Sequence, residues 1–399
     1  MDYVITIQHP AHVHFFKHAI AELEDDGHDV HVFARDKEVA VDLLRAYDID
    51  HEVLVGGQGG GIAGMARSQL LYEARLLRHA RRIGPDVVAA IGGTAVAHVA
   101  ALVGARSVVF TDTEHAPANR ITFPFADEVW TPECYADDVG PKQVRYPGYH
   151  ELAYLHPNRF EPDPSALTDR GIDPDERFVV LRLVSWEASH DVGQGGFDDI
   201  SDVVERLEAT GARVLITSEA PLPDDLEDRR VTVEPHRIHD VLAFADLFVG
   251  EGATMAVESA VLGTPALYVN SLRMGYTDEI EAKYGLLYNF QGAYRHGNAL
   301  ERALAILDGD STSDGDAGDD GSDGGNDDDG DEWESRRRLL LADKGDTTKV
   351  VLAALRGEGW PPKLKEPEPV PTSDSKPEHP STADPSDAAP EPTTPESDD

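Results

Sequence analysis

Two stretches of strand–helix alternation, separated by one break, limit what this 399-residue chain can become. Short β-branched runs fall at residues 3–7, 29–34, 51–55, 86–91, 107–111 and 128–131, with amphipathic stretches such as 14–24, 37–47 and 62–83 between them. Strands that alternate with helices form a parallel sheet covered by those helices. The rhythm stops at Tyr146-Pro147-Gly148, and prolines at 157, 162 and 164 mark a linker. It resumes with strands expected at 178–184, 213–218, 231–234, 247–250 and 265–269 and helices at 197–208, 238–245 and 254–262. The expectation is an α/β fold of two Rossmann-like domains, 1–150 and 166–307, facing each other across a cleft, with 151–165 as the linker.

Composition narrows the class. Apolar residues are 40% of the chain and no window holds 18 of them in a row, so no membrane-spanning helix is expected. Met1 leads straight into a strand-like run, without the basic and apolar start of a secretory signal. The lone Cys134 excludes a disulfide within the chain and a multi-cysteine metal site. Together these favour a cytoplasmic protein. Net charge is −40; residues 308–332 and 361–399 supply −12 and −7 of it, so the remaining 335 residues still carry −21. A surface this acidic, richer in Arg than Lys, suits molar salt, where charges are screened over about 3 Å. It disfavours nucleic acid as a partner, because phosphate contacts need positive surface. The Gly/Asp/Ser-rich segment 308–331 and the Pro/Ser/Thr/acid-rich tail 361–399 lack the apolar content to order themselves, and a single C-terminal helix is expected at 332–357.

The segment that most favours chemistry is Gly250-Glu251-Gly252-Ala253-Thr254, where an apolar strand meets a glycine turn and a helix begins at once. Glycines let backbone approach a ligand, and a helix start offers unpaired N–H groups with partial positive charge, so a diphosphate fits there. Thr254 would cap the helix or add a hydroxyl. Glu258, one turn on, shares its face with Thr254 and would accept the hydroxyls of a ribose. A helix start without any ligand has the same pattern.

Three further segments follow strands, in the crevice where open α/β sheets bind ligands. In the run from Gln8 to His18, His12 suits general-base removal of a proton from an acceptor hydroxyl, and His14 and His18 read as a half-buried pair. A metal site from His9, His12 and His14 lacks a nearby carboxylate, so no metal is expected. Asp112, Glu114 and His115 either orient an acceptor or His12, or merely start a helix. Ile91-Gly92-Gly93-Thr94 repeats the strand–glycine–helix device, whereas the glycines of 56–61 lack the Lys-Ser/Thr of a phosphate loop. Beyond the first strand of the second domain, Arg182 or His190 would neutralise diphosphate charge, and Trp186 reads as a packed aromatic. Finally, 62–83 sets Arg67, Arg75, Arg78, Arg81 and Arg82 against the single Glu73, which fits either an ordinary surface helix or one lying on an anionic membrane.

Residues 235–270 resemble the nucleotide-binding half of GT-B-fold glycosyltransferases, and are similar to the peptidoglycan lipid-linked N-acetylglucosamine transferase and to UDP-N-acetylglucosamine 2-epimerases. The parts that carry the likeness are His236-Arg237-Ile238, Ala245-Asp246, Gly250 to Thr254, Glu258 and Gly263-Thr264-Pro265. The resemblance implies Gly252, Ala253 and Thr254 at the diphosphate of a UDP-sugar, Glu258 at its ribose, and backbone near Arg237 and Ile238 at the uracil. It aligns His12 of Pro10-Ala11-His12-Val13 with the transferase's candidate base, without that loop's glycines, and places Glu114 beside it as a second catalytic candidate. It implies a lipid-linked acceptor with peripheral membrane contact through 62–83, and no cofactor beyond the sugar nucleotide. The His-Arg-Arg-Glu-Asn run of the epimerases is missing. Over residues 1–355 the chain most resembles an uncharacterised, largely archaeal family of GT-B-like proteins.

Overall fold

The structure, a computed structural model, describes residues 1–56, 61–114, 116–183, 200–218, 221–231, 233–309 and 329–358. The first sheet is built from β1 (Asp2–Ile7), β2 (Asp29–Asp36), β3 (His51–Gly56), β4 (Val87–Ile91), β5 (Arg106–Phe110), β6 (Glu128–Pro132) and β7 (Gln143–Tyr146). Its helices are α1 (Pro10–Asp25), α2 (Ala40–Ala46), α3 (Gly61–Ile83), α4 (Thr94–Val103) and the short α5 (Asn119–Thr122). All seven strands are parallel, in the order β3-β2-β1-β4-β5-β6-β7. Strands covered on both faces need near-continuous apolar runs, and Tyr3, Val4, Ile5 and Ile7 are accordingly all buried. The start of α1 is fixed locally: His9 is extended and its Nδ1 accepts the Ala11 N–H at 3.2 Å, while Pro10 opens the helix.

After the short α6 (Ser165–Thr168), the second sheet collects β8 (Phe178–Leu183), β9 (Arg213–Ser218), β10 (Leu247–Gly250), β11 (Ala266–Val269) and β12 (Leu287–Phe290). It too is parallel, in the order β12-β11-β10-β8-β9. Around it lie α7 (Ile200–Glu208), α8 (Ile238–Phe244), α9 (Ala253–Leu262), α10 (Gly275–Tyr284) and α11 (Arg295–Leu307). The strand order reverses between β8 and β10, and ligands of such sheets bind outside the carboxyl ends at that reversal.

The C-terminal helix expected at 332–357 is two helices, α12 (Asp329–Asp343) and α13 (Thr347–Arg356). The break falls at Lys344-Gly345-Asp346, where the Asp346 carboxylate caps α13 by accepting the Thr348 N–H at 3.0 Å. The chain thereby returns to the first domain: Arg106 of β5 donates to the Ala354 carbonyl at 2.8 Å, and Arg159 bridges Asp346 at 2.8 Å and Glu22 of α1 at 2.5 Å. The strand expected at 231–234 does not form; a single bridge, Ile216 to Arg230, marks the spot, and residue 232 lies outside the described residues. So do 57–60 of the glycine loop, His115, the segment with Trp186 and His190, most of the acidic insert and the whole tail. Among the described residues no helix is long and apolar enough to cross a membrane.

Candidate functional site

The carboxyl ends of β8, β9 and β10 open onto a cleft of about 470 Å³ whose other wall is α1 and the β2–α2 loop of the first domain. Gly252 is the N-cap of α9 and brings no side chain to cap the first-turn amides. A methyl group built on Gly252 would meet nothing within 4 Å, so the approach to those amides is clear. Gly250 just before it is a packing requirement, since a Cβ there would lie 2.8 Å from the Arg182 Cβ and 2.6 Å from the Phe248 ring. That contact sets Arg182 beside the strand end, and Arg182, Ala253 and Thr254 all line the cleft. Arg230 lines it too, held by Glu227 at 2.6 Å, and the Thr217 hydroxyl is buried there without a hydrogen-bond partner among the described residues. Two cationic side chains, a helix start and a hydroxyl unpaired among the described residues are groups whose chemistry could hold an anion.

Glu258 also lines the cleft but is only 4% exposed. Its Oε1 accepts from the Tyr154 hydroxyl at 2.7 Å and pairs with His239 Nε2 at 3.0 Å. On the opposite wall, His14 stacks on Tyr154 at 5.1 Å and meets His239 edge-on at 4.6 Å, with its Nδ1 3.1 Å from the Tyr47 hydroxyl. Burial, then the neighbouring His239 and Lys17, holds His14 well below its ordinary pKa, so the ring is neutral. Glu38, at the rim, faces His9 Nε2 at 3.6 Å and has φ +51°, a backbone conformation uncommon outside glycine. A larger hollow of about 690 Å³ at Arg177, Asp246, Gly263 and Trp333 lies at the opposite, amino ends of β8 and β10, away from any helix start of this kind.

The sequence profile of the family described as "Protein of unknown function (DUF354)" matches residues 1–290. The chain belongs to this family. The DUF354 match ends with β12, so it takes in every cleft residue and leaves out α11 to α13. An uncharacterised protein of Methanocaldococcus jannaschii is 23% identical over 288 residues, 67% of this chain and 81% of its own. Among solved structures, the UDP-GlcNAc 2-epimerase of Neisseria meningitidis bound to UDP-GlcNAc superposes with a TM-score of 0.58 at 12% identity, covering 90% of this chain and 100% of that one. The glycosyltransferase VinC in complex with dTDP gives 0.56 at 15% identity, covering 89% and 99%. At these identities the likeness is one of fold: the DUF354 chain has the GT-B architecture.

Of the residues singled out in the DUF354 sequence, Arg182, Ile238, Gly252, Ala253, Thr254 and Glu258 meet in the cleft. Thr254 does not cap α9. The Arg237 side chain turns away to Asp240 at 2.6 Å, Asp163 at 2.9 Å and Ser165 at 3.0 Å, tying α8 to the linker. His12 is not part of the lining; its Nδ1 faces the Gln8 N–H at 3.4 Å, and burial, with the charges of His9 and His150, holds it down to about 3. Glu114 reaches across the domains, where its Oε1 accepts the N–H groups of Ala136 at 3.1 Å and Gly275 at 3.2 Å. Asp112 pairs with His150 at 3.0 Å; burial pushes its carboxyl up, but the His150 charge and hydrogen bond bring it below its ordinary value. Among the described residues no three His, Cys, Asp or Glu side chains cluster to hold a metal ion. Tyr47, Tyr154, Thr217, Arg230 and His239 also line or adjoin the cleft and belong to none of the sequence motifs. Thr217 and Arg182 carry the one usable signal, a polar residue near the carboxyl end of an apolar strand.

Proposed function

We propose that this protein binds a nucleoside-diphosphate sugar, with a UDP-sugar as the working case, and transfers the sugar to an acceptor held by the first domain. The observation that carries this reading is the uncapped start of α9, open to a cleft that also gathers Arg182, Arg230 and Glu258. Gly252, Ala253 and Thr254 would hold the diphosphate, the two arginines its charge, Glu258 the pentose, and the main chain at Ile238 the base. Arg237 contributes main chain only. The ligands named for two proteins of this fold, UDP-GlcNAc and dTDP, belong to the same chemical class and support the reading.

Transfer needs a base for the acceptor hydroxyl. We assign it to His14, which lines the cleft and has no hydrogen bond from a described residue on Nε2. The acceptor proton passes to Nε2 while the acceptor oxygen bonds to the anomeric carbon, and the anomeric C–O bond breaks with its electrons leaving on the diphosphate. His12, with Nδ1 turned to the Gln8 N–H, supports the α1 start in this reading, and Glu114 secures the domain boundary. A lipid-linked acceptor is favoured by α3, where Met65, Leu70 and Leu71 are exposed on the helix that also exposes Arg67, Arg75, Arg78, Arg81 and Arg82.

Incubation with UDP-GlcNAc in D₂O, with a membrane-lipid extract as the source of acceptor and with and without anionic phospholipid vesicles, tests this. UDP release that drops about 10²–10⁴-fold in His14→Gln while UDP binding persists is expected, with the protein sedimenting with the vesicles. Deuterium appearing at sugar C2 without UDP release would replace transfer by epimerisation. Binding with neither outcome would leave a nucleotide-sugar-binding subunit.

A further inference from the structure

We infer that the Thr217 hydroxyl reads the hydrogen-bonding edge of the nucleobase, with Val231, Val233, Pro235 and Ile238 against the faces of its ring. This rests on the reading that the cleft holds a nucleoside diphosphate. Thr217 stands opposite Arg182 of β8, and Arg182 opposite Gly250 of β10. Side chains two apart along a strand share a face. Leu215, Val180 and Phe248, two residues earlier on each strand, pack in the core that also holds residues of α8 and α9. Thr217 therefore continues the row of Gly250 and Arg182 along the face that carries α9. Neighbouring strands are about 4.8 Å apart, so it lies about 10 Å from β10, whose end leads into the diphosphate site.

Beyond Thr217 the wall gains a run of apolar groups. The chain that follows β9 comes alongside at Ile216, whose carbonyl accepts the Val231 N–H at 2.8 Å, and Val231, Val233, Pro235 and Ile238 line the cleft from there. Such groups suit the faces of a flat ring, but the N–H and C=O groups on the edge of a nucleobase need partners once they leave water. A threonine hydroxyl can both donate and accept. That of Thr217 is buried in the cleft wall without a hydrogen-bond partner among the described residues. A buried hydroxyl left in that state destabilises the empty protein, and a ligand that meets it removes the cost. Arg182, on the strand between Thr217 and the α9 start, takes the phosphate charge, which leaves the hydroxyl to the base.

Calorimetric titration of the full-length wild type, Thr217→Val and Thr217→Ser tests this, with UDP as one ligand and ribose 5-diphosphate, which lacks the base, measured in competition with it. Thr217→Val keeps the shape and removes the hydroxyl. It is expected to bind UDP about three- to tenfold more weakly and ribose 5-diphosphate unchanged. Its urea midpoint without ligand should equal or exceed that of wild type, because the hydroxyl it removes has nothing to bond. Thr217→Ser should bind UDP as wild type does. Equal weakening of both ligands would assign the hydroxyl to the phosphates, no weakening would take it off the ligand, and a lower urea midpoint would show that the protein itself satisfies it. Each of these overturns the inference and leaves the nucleotide-binding reading intact. A wild type that binds neither ligand would defeat that reading and this inference with it.

Discussion

Two helices of the second domain begin soon after adjacent strands and are finished differently. The first amide of α10, on Gly275, is met by the Glu114 carboxylate from the other domain, at 3.2 Å. The start of α9 has no side-chain cap from its N-cap, Gly252, and lines the cleft. The two domains differ in the same way. At the strand ends of the first, polar groups satisfy one another: Asp112 with His150, Glu114 with two backbone amides, His12 with the Gln8 N–H. At the strand ends of the second, Arg182, Thr217 and the start of α9 line the cleft, and the Thr217 hydroxyl has no hydrogen-bond partner among the described residues. A helix start is a partial positive charge that needs a partner. Where the protein supplies a carboxylate the end is structural; where it supplies cations and a cavity instead, the partner we propose is an anion from outside. Helix α4 also starts without a side-chain cap but is not part of the cleft lining, so the bare start alone does not make a site.

The closed end is where a small change does most damage. A methyl at Gly275 would sit 2.3 Å from the Cys134 carbonyl oxygen and 2.6 Å from Glu114 Oε1. Gly275→Ala is therefore expected to cost roughly 1–3 kcal/mol of stability, read from the urea midpoint. An unchanged midpoint would show that the Glu114 contact is looser than described.

The packing around α1 can be probed through pH. Burial holds His12 down to about 3 and His18 to about 4, so the fold keeps both rings neutral. The unfolded chain takes up those protons below about pH 6.5. Their share of stability is whole above that pH and is lost as pH falls toward the folded values. The buried Glu151 carboxyl, raised by burial, opposes this trend, so the comparison is made between chains. His12→Asn should lose less melting temperature than wild type between pH 7 and pH 5; parallel losses would mean that His12 is open to solvent and the first-domain face is not closed.

Much of this fold could be read from the chain because parallel, doubly covered strands leave long β-branched runs. The strands that escaped notice, β7 and β12, are short and lie at sheet edges, where one side needs no apolar cover. The run 231–234 looked like a strand because Val231, Thr232 and Val233 are β-branched, but side-chain type does not supply a pairing partner. The α9 half of the site is legible for a similar reason: the strand's last residue, the glycine turn and Glu258 lie within nine residues, so local sequence specifies it. Its partners are not. Tyr154 is 104 residues from Glu258, and Glu114 is 161 from Gly275, distances that only the tertiary fold closes. The α1 histidines show the finer limit, because His12 and His14 both follow β1 and the turn of the helix alone decides which one faces the cleft.

The direct test of the open helix start is calorimetric titration of UDP into wild type and Gly252→Ala. The glycine has φ −99° and open space where a Cβ would stand, so the variant should melt as wild type does, within about 0.5 kcal/mol of stability. Its methyl would occupy the approach to the α9 amides. Wild type should bind UDP, and Gly252→Ala should bind it at least about tenfold more weakly at unchanged stability. A wild-type protein that ignores UDP, or a variant that binds it equally well, would contradict the assignment of the α9 start as the diphosphate site.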